Sequence, residues 1–183
     1  MQNEKLKFKA GFTLIEMMVS LAVFMVVMTI TLSAFLNISD IQKKTEAFRK
    51  VNDNLNHSME MMMREIREGR GYCDGISNCD GDSFTFTSRA ENESVTYSLF
   101  AGTGGYIQRK VGVKGPQRLT SDDVNITGLN FTVSGQELGA YNEGTDTNQP
   151  RVTISISGES GTKKKLKSSL YLQATVSQRK IDS

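Results

Sequence analysis

The sequence predicts an α+β fold in which one long amino-terminal helix packs on an antiparallel β-meander. Three features of the 183-residue chain predict it. An apolar run of 25 residues, 12–36, contains a single charge, that of Glu16. An amphipathic pattern of helical period then continues without Pro or Gly as far as Glu68. Beyond Gly69 the chain changes to short alternating segments separated by turn residues.

The composition argues against several classes of function. Two cysteines are too few for a disulfide-dense scaffold or a four-thiolate zinc site. A single histidine, His57, argues against histidine catalysis and multi-histidine metal sites. No tryptophan and a net charge of +2 argue against a dedicated nucleic-acid binder. Since no nucleophile–base pair or metal cluster is visible, we expect no enzymatic activity and no cofactor.

The charge distribution predicts how the apolar run is oriented. Residues 1–11 contain three basic residues, Lys5, Lys7 and Lys9, and one acidic residue, Glu4. This segment therefore accounts for the whole net charge of +2. This is the positive-inside pattern, which places the amino terminus in the cytoplasm and the chain beyond Leu36 outside. As a helix, residues 12–36 would span about 37 Å, enough for a hydrocarbon core of about 30 Å. We therefore expect a single transmembrane segment from Phe12 to Leu36.

A cleavable secretory signal peptide does not fit the apolar run, because the run is too long and no Ala-x-Ala site follows it. A plain signal anchor fits its length. Glu16 needs a further explanation, since a carboxylate at the centre of a membrane costs about 2.5–3.5 kcal/mol. It follows Phe12 by four residues, on the same helix face. It either has a partner there or lies near the interface and reaches water.

The segment before and into the apolar run reads Lys9-Ala10-Gly11-Phe12-Thr13-Leu14-Ile15-Glu16. It resembles the class III signal of type IV prepilins and pseudopilins. The resemblance implies that a prepilin peptidase cuts between Gly11 and Phe12 and methylates the new amino group of Phe12. It also implies that Glu16 pairs with the terminal amine of a neighbouring subunit in a filament. An unhindered Gly11 before the scissile bond suits such a protease.

The amphipathic segment beyond residue 36 predicts a continuous helix over 12–68. The periodic apolar positions are Ile41, Phe48, Leu55, Met59, Met62 and Ile66. Asn52 breaks the stripe, so packing on the chain's own sheet is favoured over a coiled coil with a partner. The Met59–Met63 segment is interpreted as core filler and contact surface, because adjacent helix positions do not converge on one metal ion.

The head is predicted to consist of short sequential strands joined by turns. The candidate strands are Ser83–Thr87, Ser94–Phe100, Tyr106–Lys110, Asp123–Val133, Arg151–Ser157 and Lys164–Ser177. Gly128 predicts a bend or a break in the fourth strand. The last two strands are predicted to form a hairpin whose turn is Gly158-Glu159-Ser160-Gly161.

Two features of the loop after the helix leave alternatives open. Cys73 and Cys79 would lie outside the cytoplasm, where they either form a small disulfide or remain free thiols. Oxygen-bearing side chains at Asp74, Asn78, Asp80 and Asp82 resemble the start of a calcium loop. However, Ser83 stands where an EF-hand has Gly, and no Glu follows at the required distance, so the alternative is an Asx-rich turn.

Two polar segments of the head also permit two interpretations. Residues 135–150 form a long polar loop that is either functional or a surface insertion. The lysine run Lys163-Lys164-Lys165 with Lys167 is either a solvated strand edge or a DNA contact.

Together these features divide the chain into a cleaved leader (1–11), a transmembrane or filament-core helix (12–36), its amphipathic continuation (37–70) and a β-rich extracytoplasmic head (71–183).

The resemblance implies a structural subunit whose partners are other pilins, the prepilin peptidase, an inner-membrane assembly platform and, before assembly, lipid. Ser33 stands where major pilins usually have Pro, which favours a minor subunit. The Arg64–Arg67 and Leu172–Arg179 segments resemble J-type minor pseudopilins. The alternatives are a signal-anchored binding module that does not polymerise and a DNA-uptake subunit.

Overall fold

The computed structural model describes residues 11–72, 81–102, 104–134, 149–161 and 166–179. The helix and strands found there are α1 (Leu14–Glu68), β1 (Ser83–Thr87), β2 (Ser94–Phe100), β3 (Tyr106–Val111), β4 (Gln117–Arg118), β5 (Asn125–Ser134), β6 (Arg151–Ser160) and β7 (Ser168–Ser177). The chain divides into two compact units, Met1–Gln42 and Lys43–Ser183. The predicted α+β class and the uninterrupted helix are confirmed.

The strands form two antiparallel sheets, where the sequence analysis expected one meander. A four-stranded sheet has the order β1-β2-β3-β4, and a three-stranded sheet has the order β5-β6-β7. Strand β4, which the sequence analysis missed, has only two residues and follows Gly115-Pro116. The chain then turns inward, burying Thr120 and Val124, and so leaves the first sheet.

Backbone hydrogen bonds join the two sheets along β5. Gly81 and Phe131 exchange two such bonds, of 3.0 and 2.7 Å. The amide of Ile126 donates to the carbonyl of Gly105 at 2.8 Å. The amide of Gly105 in turn donates to the Asn125 side chain at 2.7 Å. These contacts fix the start of β3 against the start of β5.

The core lies between the second half of α1 and the two sheets. The buried residues of the helix are Ala47, Val51, Leu55, Ser58, Met59, Met62 and Ile66. This confirms the predicted packing on the chain's own sheets and the core role of Met59 and Met62. The expected stripe was wrong at Ile41 and Phe48, which are 64% and 45% exposed. The buried face passes instead through Ala47 and Val51, which precede Leu55 at intervals of four residues.

Aromatic side chains fill the middle of this core. Phe84 stacks on Phe86 and Phe131, with ring centroids 5.8 and 5.4 Å apart. Tyr72 meets the edge of Phe84, and Phe86 stacks on Tyr97. Ring contacts of this kind stabilise a core beyond the burial of their area. They connect the chain after the helix to strands of both sheets.

The hairpin of β6 and β7 is confirmed, but its predicted turn was wrong. Gly158, Glu159 and Ser160 continue β6, where they pair with Leu170, Ser169 and Ser168. A Cβ atom on Gly158 would lie 3.0 Å from Leu55 Cδ1, so this glycine permits close approach of the helix. The irregularity predicted at Gly128 is confirmed by a register shift between Ile126 and Gly128.

Strand β7 follows the helix in the same direction. The Ser168 hydroxyl donates to the carbonyl of Lys44 at 3.1 Å, and the amide of Arg179 donates to the carbonyl of Arg67 at 2.8 Å. The 23-residue separation of Lys44 and Arg67 along the helix and the 11-residue separation of Ser168 and Arg179 along extended chain both correspond to about 35 Å. The matched lengths allow one strand to be fixed to the helix at both ends.

A half-buried ionic cluster attaches α1 to the four-stranded sheet. Glu65 accepts hydrogen bonds from the Tyr97 hydroxyl at 2.6 Å and from Arg109 Nε at 3.0 Å. Arg109 also donates to Glu91 at 2.9 Å. Burial, and then the nearby Glu65 carboxylate, raise the pKa of Tyr97, so its hydroxyl stays protonated and donates. Contacts with Glu65 and Glu91 raise the pKa of Arg109 despite its burial.

We expect Gly105→Ala to lower the free energy of unfolding by about 1–3 kcal/mol. A Cβ atom at Gly105 would lie 2.3 Å from the backbone oxygen of Ile126, which cannot move without breaking the joint between the sheets. The matched control is Gly115→Ala, because no atom lies within 4 Å of a Cβ atom there. Thermal unfolding of the full chain in nonionic detergent, followed by circular dichroism, measures the difference. Equal midpoints for the two variants would contradict this role of Gly105.

We expect Glu65→Ala to lower the free energy of unfolding by about 1–3 kcal/mol, because Arg109 and Tyr97 lose their shared acceptor. The side chains of Arg109 and Glu65 are only 15% and 23% exposed. Glu91→Ala is the control. Glu91 is more exposed than Glu65, and its carboxylate pairs with a terminal guanidinium nitrogen of Arg109. Denaturant unfolding of the three proteins tests this, and a larger effect of Glu91→Ala would refute the ranking.

Candidate functional site

The amino-terminal motif begins immediately before the helix. Gly11, Phe12 and Thr13 are exposed and non-helical. The Thr13 hydroxyl accepts a hydrogen bond from the amide of Glu16 at 3.3 Å, and its carbonyl accepts one from Met17 at 3.2 Å. Thr13 is therefore the N-cap, which explains why α1 begins at Leu14 and not at Phe12 as expected.

Glu16 lies in the first turn of α1, at the positive end of the helix dipole. Thr13 and Glu16 have the spacing of a capping box, a readable signal that the sequence analysis missed. The Glu16 carboxylate forms no ion pair or hydrogen bond with the rest of the described chain. Its backbone is thus ordered by the Thr13 cap while its charge remains available to an outside partner.

The helix residues after Glu16 present an apolar surface that this chain does not cover. Every residue from 12 to 38 is exposed. An 18-residue window of α1 reaches a mean hydropathy of 2.4 and none of it is buried, so the helix is long and apolar enough to cross a membrane. The large side chains of this part range from 79% exposure at Phe12 to 52% at Met28. Such a surface needs lipid or other protein around it.

The hydroxyl side chains in this segment are satisfied within the helix. Ser20, Thr29, Thr31 and Ser33 each donate to the carbonyl four residues earlier, at 2.7 to 3.1 Å. These bonds lower the cost of placing the hydroxyl groups in an apolar environment. Within this segment, Glu16 is then the charged side chain, and it has no ion-pair partner among the described residues.

Several predicted site residues lie outside the described residues. These are Cys73 and Cys79, the loop residues Asp74, Asn78 and Asp80, and the lysines Lys163, Lys164 and Lys165. Asp82 is described and exposed. No set of three His, Cys, Asp or Glu side chains comes together as a metal site in the described ranges. The disulfide and calcium hypotheses therefore stay predictions, as does a role for loop 135–150, of which 135–148 lie outside the described residues.

Lys167 is the described member of the predicted lysine run, and it is paired. Its Nζ lies 2.7 Å from Glu159 Oε1 across the β6–β7 hairpin. Lys167, and next the amide of Asn125, lower the pKa of Glu159. The charge of Lys167 therefore stabilises its own hairpin. His57 is exposed on α1.

The comparison with protein families agrees with the geometry of the amino-terminal motif. Residues 6–32 match the family model described as the prokaryotic N-terminal methylation motif. The match covers the end of the leader, Gly11, Phe12, Glu16 and the apolar helix, and it is consistent with the type IV pilin and pseudopilin family. That family is in general structural and not enzymatic. No curated protein sequence and no solved structure matches the chain.

Proposed function

We propose that this chain is a pilin-like structural subunit, cleaved after Gly11, methylated on Phe12 and assembled through α1 into a type IV pilus or a type II secretion pseudopilus. One observation carries the proposal. The matched methylation motif ends in an apolar helix whose surface from 12 to 38 is exposed on all sides. A motif that directs processing is thus joined to a surface that requires either a membrane or neighbouring helices.

Cleavage between Gly11 and Phe12 supports assembly by creating a charge. The Phe12 amine becomes a cation beside the free amides of the helix start. Glu16 is the unpaired carboxylate of the same region. In an apolar filament core, an ion pair between the Phe12 amine and the Glu16 of a neighbouring subunit satisfies both groups, and it selects one axial offset between the helices.

The proposed subunit is single-pass before assembly, with residues 1–11 in the cytoplasm and the head outside. The basic excess in the leader supports this orientation. Its partners are other pilins, the prepilin peptidase, an inner-membrane assembly platform and lipid. We place the chain among the minor subunits because Ser33 occupies a position that is usually Pro in major pilins.

We expect the mature protein to begin with N-methyl-Phe12 when a prepilin peptidase is present. Gly11→Val should block cleavage because a branched side chain hinders the residue before the scissile bond. Ala22→Val places the same branched side chain inside the exposed helix and should be processed normally. Mass spectrometry of the intact protein from membranes distinguishes the two products. An intact Met1 in the unchanged chain, with the peptidase present, would instead support a signal-anchored module that does not polymerise.

We expect Glu16→Gln to be cleaved normally but to reduce the subunit's incorporation into filaments about tenfold or more, because the Phe12 amine loses its charged partner. Glu60→Gln is the control, since Glu60 is also an exposed acid on α1. Immunoblotting of sheared filaments and of membranes measures the incorporated and processed fractions. Equal incorporation of the two variants would remove Glu16 from the assembly mechanism and leave the cleavage prediction intact.

A further inference from the structure

A second candidate site lies in the head, at the carboxyl-terminal end of α1. A cavity of about 340 Å³ is lined by Arg67, Glu68, Gly69, Arg89 and Arg179. Its three arginines come from three different places in the fold: the last turn of α1, the turn after β1 and the bend after β7. Residues far apart in sequence thus converge on one basic cavity.

The charge of this cavity is not compensated by ion pairs among the residues that the structure describes. Arg67, Arg89 and Arg179 form no ion pair with the residues that the structure describes. Three other basic side chains of the head are paired: Arg109 with Glu65 and Glu91, Arg118 with Asp122, and Lys167 with Glu159. The described lining residues, three arginines and Glu68, have a formal charge of +2.

The arginine side chains are not needed to cap the helix. The carbonyl of Ile66 accepts from the amide of Gly69 at 3.0 Å and from the Tyr72 hydroxyl. The carbonyl of Arg67 accepts from the amide of Arg179 at 2.8 Å, and the carbonyl of Gly69 accepts from the Gln178 side chain at 3.2 Å. These backbone and side-chain bonds satisfy the carbonyls of Ile66 and Arg67 without an arginine side chain, and they fix Arg179 beside Arg67.

We infer that this cavity binds the carboxylates of an acidic segment on a partner protein. Guanidinium groups bind carboxylates through two parallel hydrogen bonds, and three of them in one cavity can hold more than one acid. Glu68 on the rim opposes a compact dianion such as phosphate, but it can accept hydrogen bonds from the amides of a peptide chain. The inference does not depend on filament assembly.

The test uses the full chain in nonionic detergent and a fluorescent hexaglutamate peptide, with binding followed by anisotropy. We expect saturable binding that weakens with added salt. The double variant Arg67→Gln/Arg179→Gln should weaken it about tenfold, while Glu68→Gln should strengthen it about twofold. The control Lys43→Gln/Arg49→Gln removes the same charge from exposed positions at least about 27 Å away along the helix, and it should change binding less than twofold.

Two outcomes would overturn the inference. Equal weakening by the two double variants would show that only the net charge attracts the peptide. Displacement of the peptide by inorganic phosphate as effectively as by unlabelled hexaglutamate would assign the cavity to small anions. If Arg67→Gln/Arg179→Gln lowers the unfolding temperature, Arg67→Lys/Arg179→Lys replaces it. The Arg67→Lys/Arg179→Lys variant keeps both charges. It must still bind the peptide more weakly than Lys43→Gln/Arg49→Gln does, because a lysine cannot form two parallel hydrogen bonds with one carboxylate.

Discussion

The burial of one face of α1 against two sheets is the interaction on which the rest of the head depends. Neither sheet has a second layer of its own in the described chain, so the stripe from Ala47 to Ile66 covers the apolar sides of both. Gly158 permits the close approach of Leu55, and the hydrogen bonds of Ser168 and Arg179 fix the long β7 strand along the same helix. The strands and the helix therefore stabilise each other.

The two parts of α1 differ in how their apolar side chains are covered. From Ala47 onward the apolar face of the helix is buried against the rest of the chain. Residues 12–38 are exposed, and no other part of the described structure covers them. A helix is well suited to the second situation, because its backbone hydrogen bonds are internal and the hydroxyls of its Ser and Thr residues bond to its own carbonyls. Glu16 is the charged residue of this segment, and it has no partner among the described residues.

The charges of the head follow a similar division between paired and unpaired groups. Glu65 and Arg109 are half-buried, and their pairing determines how the four-stranded sheet meets the helix. Arg67, Arg89 and Arg179 are exposed and form no ion pair within the described chain, although a backbone hydrogen bond joins Arg67 to Arg179. Pairing of the first kind stabilises the fold, and unpaired charge on an ordered backbone is what a binding surface requires.

The sequence by itself determined the α+β class, the uninterrupted helix, the limits of β1 and β2 and the match to the methylation motif that includes Gly11, Phe12 and Glu16. These properties depend on local patterns: hydrophobic period, absence of helix breakers, alternation and the identity of neighbouring residues. The tertiary structure alone decided the division into two sheets, the continuation of β6 through Gly158 and the exposure of Ile41 and Phe48. It also decided the meeting of Arg67, Arg89 and Arg179, which are separated by up to 112 residues. Such features depend on which distant segments pack together, and the local periodicity of the sequence does not determine that packing.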